Sequence, residues 1–293
     1  MQGVRIAEMP ACKMVSSGTC MKTLFVTDLD GTLLRRNATV SNESREIIHS
    51  LTNRGMCFSY ATARALYTSS VVTKGLRCSA PLITKNGVFI NDAKSGEILW
   101  ENIFSYEEAE DIYQIIRRNQ LHPMVHSYQN GKEKYSYDAT EMSEGIQWFI
   151  DGHKNDERIL PLPGDQDILA GKIFYFSCIG SKEELENAYR EVVRKYHCIF
   201  SKDTYDEMMW LEIMPERATK ADAALQLKRM CGCDYLVAFG DGINDIPIFQ
   251  VADEGYAVEN AVEELKEIAT GVIAENEKDG VAMWLQDHYE MYQ

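Results

Sequence analysis

One stretch limits the possible folds more than any other: Thr23-Leu24-Phe25-Val26-Thr27-Asp28-Leu29-Asp30-Gly31-Thr32-Leu33-Leu34. Leu24 to Val26 make a short apolar run that reads as a buried strand. The run ends in two carboxylates one residue apart, then a glycine and a threonine. Side chains i and i+2 of a strand share a side, so Asp28 and Asp30 are expected to project together at its carboxyl end. Like charges so close repel, and a hard divalent cation such as Mg²⁺ is the usual relief. The same residues also fit a plain acidic turn in which Gly31 supplies an unusual backbone angle. The rest of the chain has to separate these two readings.

The next segments alternate strand and helix. Ser41 or Asn42 caps a helix with Ile47, Ile48 and Leu51 on its apolar face, and Gly55 ends it. Residues 56–60 read as a second strand leading into Ala61-Thr62-Ala63-Arg64, and a helix follows to about residue 75. Residues 81–84 read as a third strand, ending at the turn signal Asn86-Gly87. This is the doubly wound pattern with a parallel sheet. The rhythm then changes to hairpins mixed with helices, including a hairpin over 88–103 and an expected loop at Leu160-Pro161-Leu162-Pro163-Gly164. The first rhythm resumes at Pro215, where the apolar strand 235–239 leads into Gly240-Asp241-Gly242-Ile243-Asn244-Asp245. The organisation is core, insert, core: residues 21–87 and 215–293 around an α+β insert, 88–214, with a largely antiparallel sheet. Residues 1–20 read as a disordered extension, and Met21, directly before the first strand, is a candidate start.

Composition narrows the function classes. No apolar run approaches the roughly 20 residues of a membrane helix, and residues 1–20 lack the apolar core of a secretory signal. Eight cysteines without such a signal point to reduced thiols in a cytoplasm. Cys231-Gly-Cys233 is one residue short of the common metal and redox spacing. The net charge is −15, and residues 91–214 hold 13 Lys and Arg against 24 Asp and Glu. That balance argues against nucleic acid and anionic membranes as partners. A small anionic substrate stays compatible if a metal and a few local cations neutralise it. Tyr128, Tyr135 and Tyr137 fit either a sugar-stacking surface or ordinary strand packing. Nothing in the pattern sets the oligomeric state.

Four groups lie at strand ends or helix starts of the core halves: Asp28 with Asp30, Thr62, Lys220, and Asp241 with Asn244 and Asp245. Taken singly, Lys220 reads as a solvated helix lysine, Thr62 as a helix cap, and Asp241 and Asp245 as a loop and cap pair. Ligands of open α/β sheets bind at the carboxyl ends of the strands, so the groups are expected to converge. Together they resemble the haloacid dehalogenase superfamily of phosphohydrolases. Asp28-Leu29-Asp30-Gly31-Thr32 is similar to its first motif, Thr62 in Ala61-Thr62-Ala63-Arg64 to the second, Lys220 in Ala218-Thr219-Lys220-Ala221 to the third, and Gly240 to Asp245 to the fourth. The insert, Asn86-Gly87, Glu259-Asn260-Ala261 and Asp279-Gly280 resemble the Cof-type, or IIB, branch. Ala63 departs from that branch, which more often has glycine there, and Lys220-Ala221 stands where Lys-Gly is commoner.

The resemblance implies a Rossmann-like core with an inserted α+β cap domain and a Mg²⁺-dependent phosphatase of a small phosphorylated metabolite, with a sugar phosphate leading. Asp28 would be the nucleophile and Asp30 the acid and base. Asp28, the backbone carbonyl of Asp30, and Asp241 would hold Mg²⁺, with Asp245 beside them orienting metal-bound water or Lys220. Thr62, Lys220 and Asn244 would bind phosphate oxygens. A phosphomutase with the same chemistry and a non-catalytic metabolite sensor are the rival readings.

Overall fold

In the computed structural model, which describes residues 21–202 and 208–293, the opening apolar run forms the strand Thr23–Thr27. The expected extension, residues 1–20, lies outside the described residues. Leu24, Phe25 and Val26 are each at most 1% exposed. A strand buried on both faces has no polar alternation, which is why the run reads as unbroken hydrophobicity. Burial of each such side chain contributes about 1.5–3 kcal/mol. The strand sits inside a five-stranded parallel sheet in the order Gly271–Ile273, Glu254–Val258, Tyr235–Gly240, Thr23–Thr27, Cys57–Tyr60. Helix Asn42–Asn53 starts at Ser41, whose hydroxyl accepts the Ser44 amide, and it packs on helix Gly280–His288. The chain thus has the expected fold class, a Rossmann-like parallel sheet joined to an α+β insert.

Two units are distinguishable. The first comprises the described residues up to Tyr60, Ser70–Pro81 and Leu227–Gln293; the second comprises Ala61–Ser69 and Leu82–Gln226. The expected third parallel strand belongs to the second unit. Ile83 does make a parallel bridge to Ala61, but Leu82–Thr84 otherwise pairs antiparallel with Phe89–Asn91, which pairs with Ile98–Glu101. The turn at Lys85–Gly87 doubles the chain back, with Asn86 at φ 54° and Gly87 at φ 99°.

The larger sheet of the second unit has the order His197–Lys202, Met209–Met214, Lys172–Gly180, Met124–Gln129, Lys132–Asp138, Ile159–Leu162. Helices Tyr106–Arg118 and Lys182–Val192 each start with a capping box, Ser105 with Glu108 and Ser181 with Glu184. Their Ile112, Ile116, Leu185 and Val192 pack with Val125, Phe176, Leu211 and Ile213 of the sheet. One expectation needs correction: of the expected loop Leu160-Pro161-Leu162-Pro163-Gly164, the first three residues are strand and only Pro163 and Gly164 are bend. Ile159–Leu162 is an edge strand, parallel to Lys132–Asp138, with helix Glu144–Gly152 as the crossover. An edge position tolerates Pro161 because its missing N–H need not face the ladder. No helix of the described residues is long and apolar enough to cross a membrane, and the six described cysteines are free thiols.

Candidate active site

The site begins with strand register. Thr23–Thr27 pairs with Tyr235–Gly240 so that Thr27 lies opposite Phe239, and the Asp28 amide donates to the Phe239 carbonyl at 2.9 Å. Asp28 and Asp241 therefore leave neighbouring strands at the same end of the sheet. Asp28, Asp241 and Asp245 each offer a carboxylate oxygen, and these oxygens all lie within 4.8 Å of one another. Asp28 is 7% exposed and Asp245 1%.

The loops that hold these acids have little spare room. Asp245 Oδ2 accepts the amides of Asp241 and Gly242, both at 3.0 Å, so the fourth-motif loop closes on its own last residue. The Thr32 hydroxyl donates to Asp241 Oδ1 at 2.8 Å. A Cβ on Gly31 would lie 2.2 Å from Asp241 Oδ2, and Gly31 sits at φ 80°. Glycine is therefore required there for both space and backbone angle. The Asn260 amide donates to the Gly31 carbonyl, and the Asn276 amide to the Leu34 carbonyl, both at 2.8 Å. Asp279 accepts from Arg35 at 2.5 Å and from the Ser44 hydroxyl at 2.9 Å. Burial opposes its charge, but these hydrogen bonds and the Arg35 charge prevail, and its carboxyl sits below the usual carboxylate range.

The expected pairing of Asp28 with Asp30 on one strand face does not occur. The strand ends at Thr27, and residues 29–33 form a turn closed by the Leu34 amide on the Leu29 carbonyl at 2.8 Å. The alternation rule stops where the strand stops. Asp28 is consequently buried and Asp30 exposed, so two acids two residues apart have different environments. The Asp30 carboxylate is not part of the three-acid cluster. Asn244, in the turn Ile243–Asp245, is exposed.

Thr62 and Lys220 belong to the second unit and are 1% and 2% exposed. The Thr62 amide donates to the Ile83 carbonyl at 3.0 Å, and its carbonyl accepts the Asn86 amide at 2.9 Å. Its hydroxyl accepts the Arg64 amide at 3.1 Å, while the Ala63 methyl faces outward. Gly87 is packed on the backbone before Lys220: a Cβ there would lie 2.1 Å from the Thr219 carbonyl oxygen. Thr219 caps the helix Lys220–Met230, its hydroxyl accepting the Asp222 amide and donating to the Asp222 carboxylate. Asn86-Gly87 is thus the link between the Thr62 and Lys220 backbones.

Sequence reasoning left Thr32 and Asn260 without individual roles. Both stand inside quoted motifs, but nothing in spacing says that a hydroxyl would meet Asp241 or an amide the Gly31 carbonyl. Of the three tyrosines, Tyr135 and Tyr137 are core residues at 4% and 6% exposed, against Met124 and Ile146.

A cluster of carboxylate oxygens suits a hard divalent cation, and Mg²⁺ is the ion that such donors hold beside phosphates. Comparison with known proteins identifies the family. A family model described as haloacid dehalogenase-like hydrolase matches residues 25–285. A Bacillus subtilis protein named 5-amino-6-(5-phospho-D-ribitylamino)uracil phosphatase is 25% identical over 285 residues, covering 90% of this chain and 97% of its own. The crystal structure of TM0651 from Thermotoga maritima superposes with a TM-score of 0.72 at 25% identity, covering 91% of this chain and 97% of that one. A haloacid dehalogenase-like hydrolase from Bacteroides thetaiotaomicron has the same fold, at TM-score 0.70 and 23% identity over 90% of this chain and 98% of its own. The chain belongs to the haloacid dehalogenase-like hydrolases, and it is an enzyme of the phosphatase kind represented among these relatives.

Proposed function

We propose that the chain is a Mg²⁺-dependent phosphatase that releases phosphate from a small sugar or polyol phosphate through an aspartyl-phosphate on Asp28. The observation that carries this reading is the meeting of Asp28, Asp241 and Asp245 oxygens within 4.8 Å at the ends of two paired strands. Asp28, the Asp30 backbone carbonyl and Asp241 would hold Mg²⁺, with Asp245 bracing the loop. The ion would offset the repulsion between a carboxylate nucleophile and an anionic phosphate.

The protein's own residues account for each proton and bond. An Asp28 oxygen bonds to phosphorus as the ester oxygen leaves, and Asp30 gives that oxygen a proton. Asp30, now a carboxylate, takes a proton from water as the water oxygen attacks phosphorus. The Asp28–phosphorus bond breaks, which releases inorganic phosphate and returns Asp28 as a carboxylate and Asp30 as the acid. The exposed position of Asp30 beside a buried Asp28 supports this division of roles. Thr62, Lys220 and Asn244 take phosphate oxygens in this reading, and residues 88–214 serve as the cap to a core of 21–87 and 215–293. The Bacillus subtilis relative, named for a phosphorylated ribityl chain, supports a polyol or sugar phosphate as substrate.

The test is phosphate release from p-nitrophenyl phosphate. Mg²⁺ should be required and EDTA should stop it. Asp28→Asn should lower kcat/KM by about a thousandfold or more. Asp30→Asn should lower kcat while phosphate binding is largely kept. Full activity of Asp28→Asn would remove the nucleophile assignment, and release that depends on an added bisphosphate would favour a phosphomutase.

A further inference from the structure

Asn260 lies in a short segment bonded to both loops that carry Asp28 and Asp241, and all of these residues belong to the first unit. Its carboxamide nitrogen donates to the Gly31 carbonyl at 2.8 Å, and its carboxamide oxygen accepts the Asn276 amide at 3.0 Å. Two residues on, the Val262 amide donates to the Asp241 carbonyl at 2.9 Å. The segment Asn260-Ala261-Val262 therefore grips the backbone of the first-motif turn at one end and the backbone of Asp241 at the other. Asn276 completes the frame, because its own side chain donates to the Leu34 carbonyl at 2.8 Å. The Arg36 amide adds a bond to Glu277 at 2.6 Å.

The two gripped parts also meet directly. The Thr32 hydroxyl donates to Asp241 Oδ1, and Asp241 Oδ2 occupies the space beside Gly31. Their spacing is the spacing of the expected cation donors, since Asp28 and the Asp30 carbonyl come from one loop and the Asp241 carboxylate from the other. Asn260 itself is exposed. A hydrogen bond between exposed groups competes with water and contributes little to stability. Asn260 is thus committed at both ends to distant backbones for little gain in stability, and its consequence lies in the spacing it sets. Hard cations read such spacing differently. Mg²⁺ demands near-ideal octahedral geometry at about 2.0–2.1 Å, whereas Ca²⁺ accepts flexible donor sets at about 2.3–2.6 Å. A set held at fixed spacing favours Mg²⁺, and one free to widen admits Ca²⁺.

We propose that Asn260 is a positioning residue that makes the site select Mg²⁺ over Ca²⁺, by holding the first-motif turn against Asp241. The inference rests on the cation reading of the proposed function and adds a residue that acts only through the backbones of Gly31 and Asp241. Without the carboxamide, the Gly31 carbonyl turns to water and the turn is free to move away from Asp241. The smaller ion, with the stricter geometry, then loses more than the larger one.

Isothermal titration of the full chain with MgCl₂ and with CaCl₂ measures the ratio of the two affinities. Asn260→Ala removes both side-chain hydrogen bonds. Asn260→Asp keeps the acceptor for Asn276 and removes the donor to Gly31; its added charge acts on both divalent ions alike, so the ratio reports geometry. Ser105→Ala removes a helix cap in the second unit and controls for lost stability alone. Circular dichroism checks that each variant folds. Both Asn260 variants should lower the Mg²⁺-to-Ca²⁺ affinity ratio by about tenfold, chiefly through Mg²⁺, and Ser105→Ala should leave it within about twofold. A ratio within twofold of the parent in the folded Asn260 variants overturns the proposal, as does an equal fall for both ions or the same change in Ser105→Ala. In each of these cases the cation reading stands if the parent binds Mg²⁺. A parent that binds neither ion overturns that reading, and this one with it.

Discussion

The two units of the chain arrange their clustered acids differently. In the first, Asp28, Asp241 and Asp245 bring carboxylate oxygens within 4.8 Å of one another. In the second, Glu133 and Asp156 face Lys85 and Arg158 across 2.6–3.3 Å. A cluster of carboxylate oxygens is the donor set that suits a hard divalent cation. In the second unit, the acids are paired with cations of the same unit.

The largest effect that would break this contrast is metal-linked stability. Mg²⁺ at about a hundred times its dissociation constant should stabilise the parent by about 2.7 kcal/mol. Thermal unfolding with Mg²⁺ and with EDTA measures this. The shift should disappear in Asp241→Asn and persist in Glu133→Gln; an equal shift in all three proteins would end the assignment of the cation to the first unit.

Backbone fit is the next largest. Gly87→Ala meets the Thr219 carbonyl at 2.1 Å and a φ of 99°, whereas Gly131→Ala meets open space at φ 76°. Both pay for the left-handed backbone, about 1 kcal/mol, and Gly87→Ala should add a further cost of about 1–3 kcal/mol. Urea unfolding of the two variants separates steric from conformational cost. Equal losses would mean that the turn relaxes away from Thr219.

The smallest effect is acid sensitivity. Burial, with Lys85 and Arg158 nearby, pushes the His126 imidazole well below its ordinary 6.5. Below about pH 6.5 the unfolded chain therefore binds a proton that the folded one does not, and stability falls with pH. The limit is about 1.4 kcal/mol per pH unit for one proton. Asp279 sits below 3.8, so its contribution is full above that pH and is lost only as the pH falls through its lower folded value. Acid should thus loosen the second unit first, visible as hydrogen exchange at Phe176 before Val237. A His126→Phe variant with an unchanged slope between pH 6.5 and 5 would contradict this.

Much of the fold was legible because periodicity reports burial. The unbroken run at Leu24–Val26 reads as a buried strand and is one, and Ser41 reads as a cap and caps its helix. Asn86-Gly87 announced a turn, and both residues adopt positive φ. The misses have physical causes. Pro161 hid an edge strand, since a proline rule for central strands does not apply at an edge. Asp30 was placed with Asp28 by an alternation that ends with the strand at Thr27.

Residue order alone determined the kinds of groups available: acids after an apolar strand, a threonine and a lysine at helix starts, and glycines at several sharp turns such as Gly31 and Gly87. These follow from local backbone chemistry and from hydrophobic spacing. Tertiary structure decided which groups meet. Register between two strands more than 200 residues apart set Asp28 beside Asp241, and folding alone placed Thr32 on Asp241 and Lys85 against Glu133. Such contacts depend on distance through space, to which sequence separation is no guide.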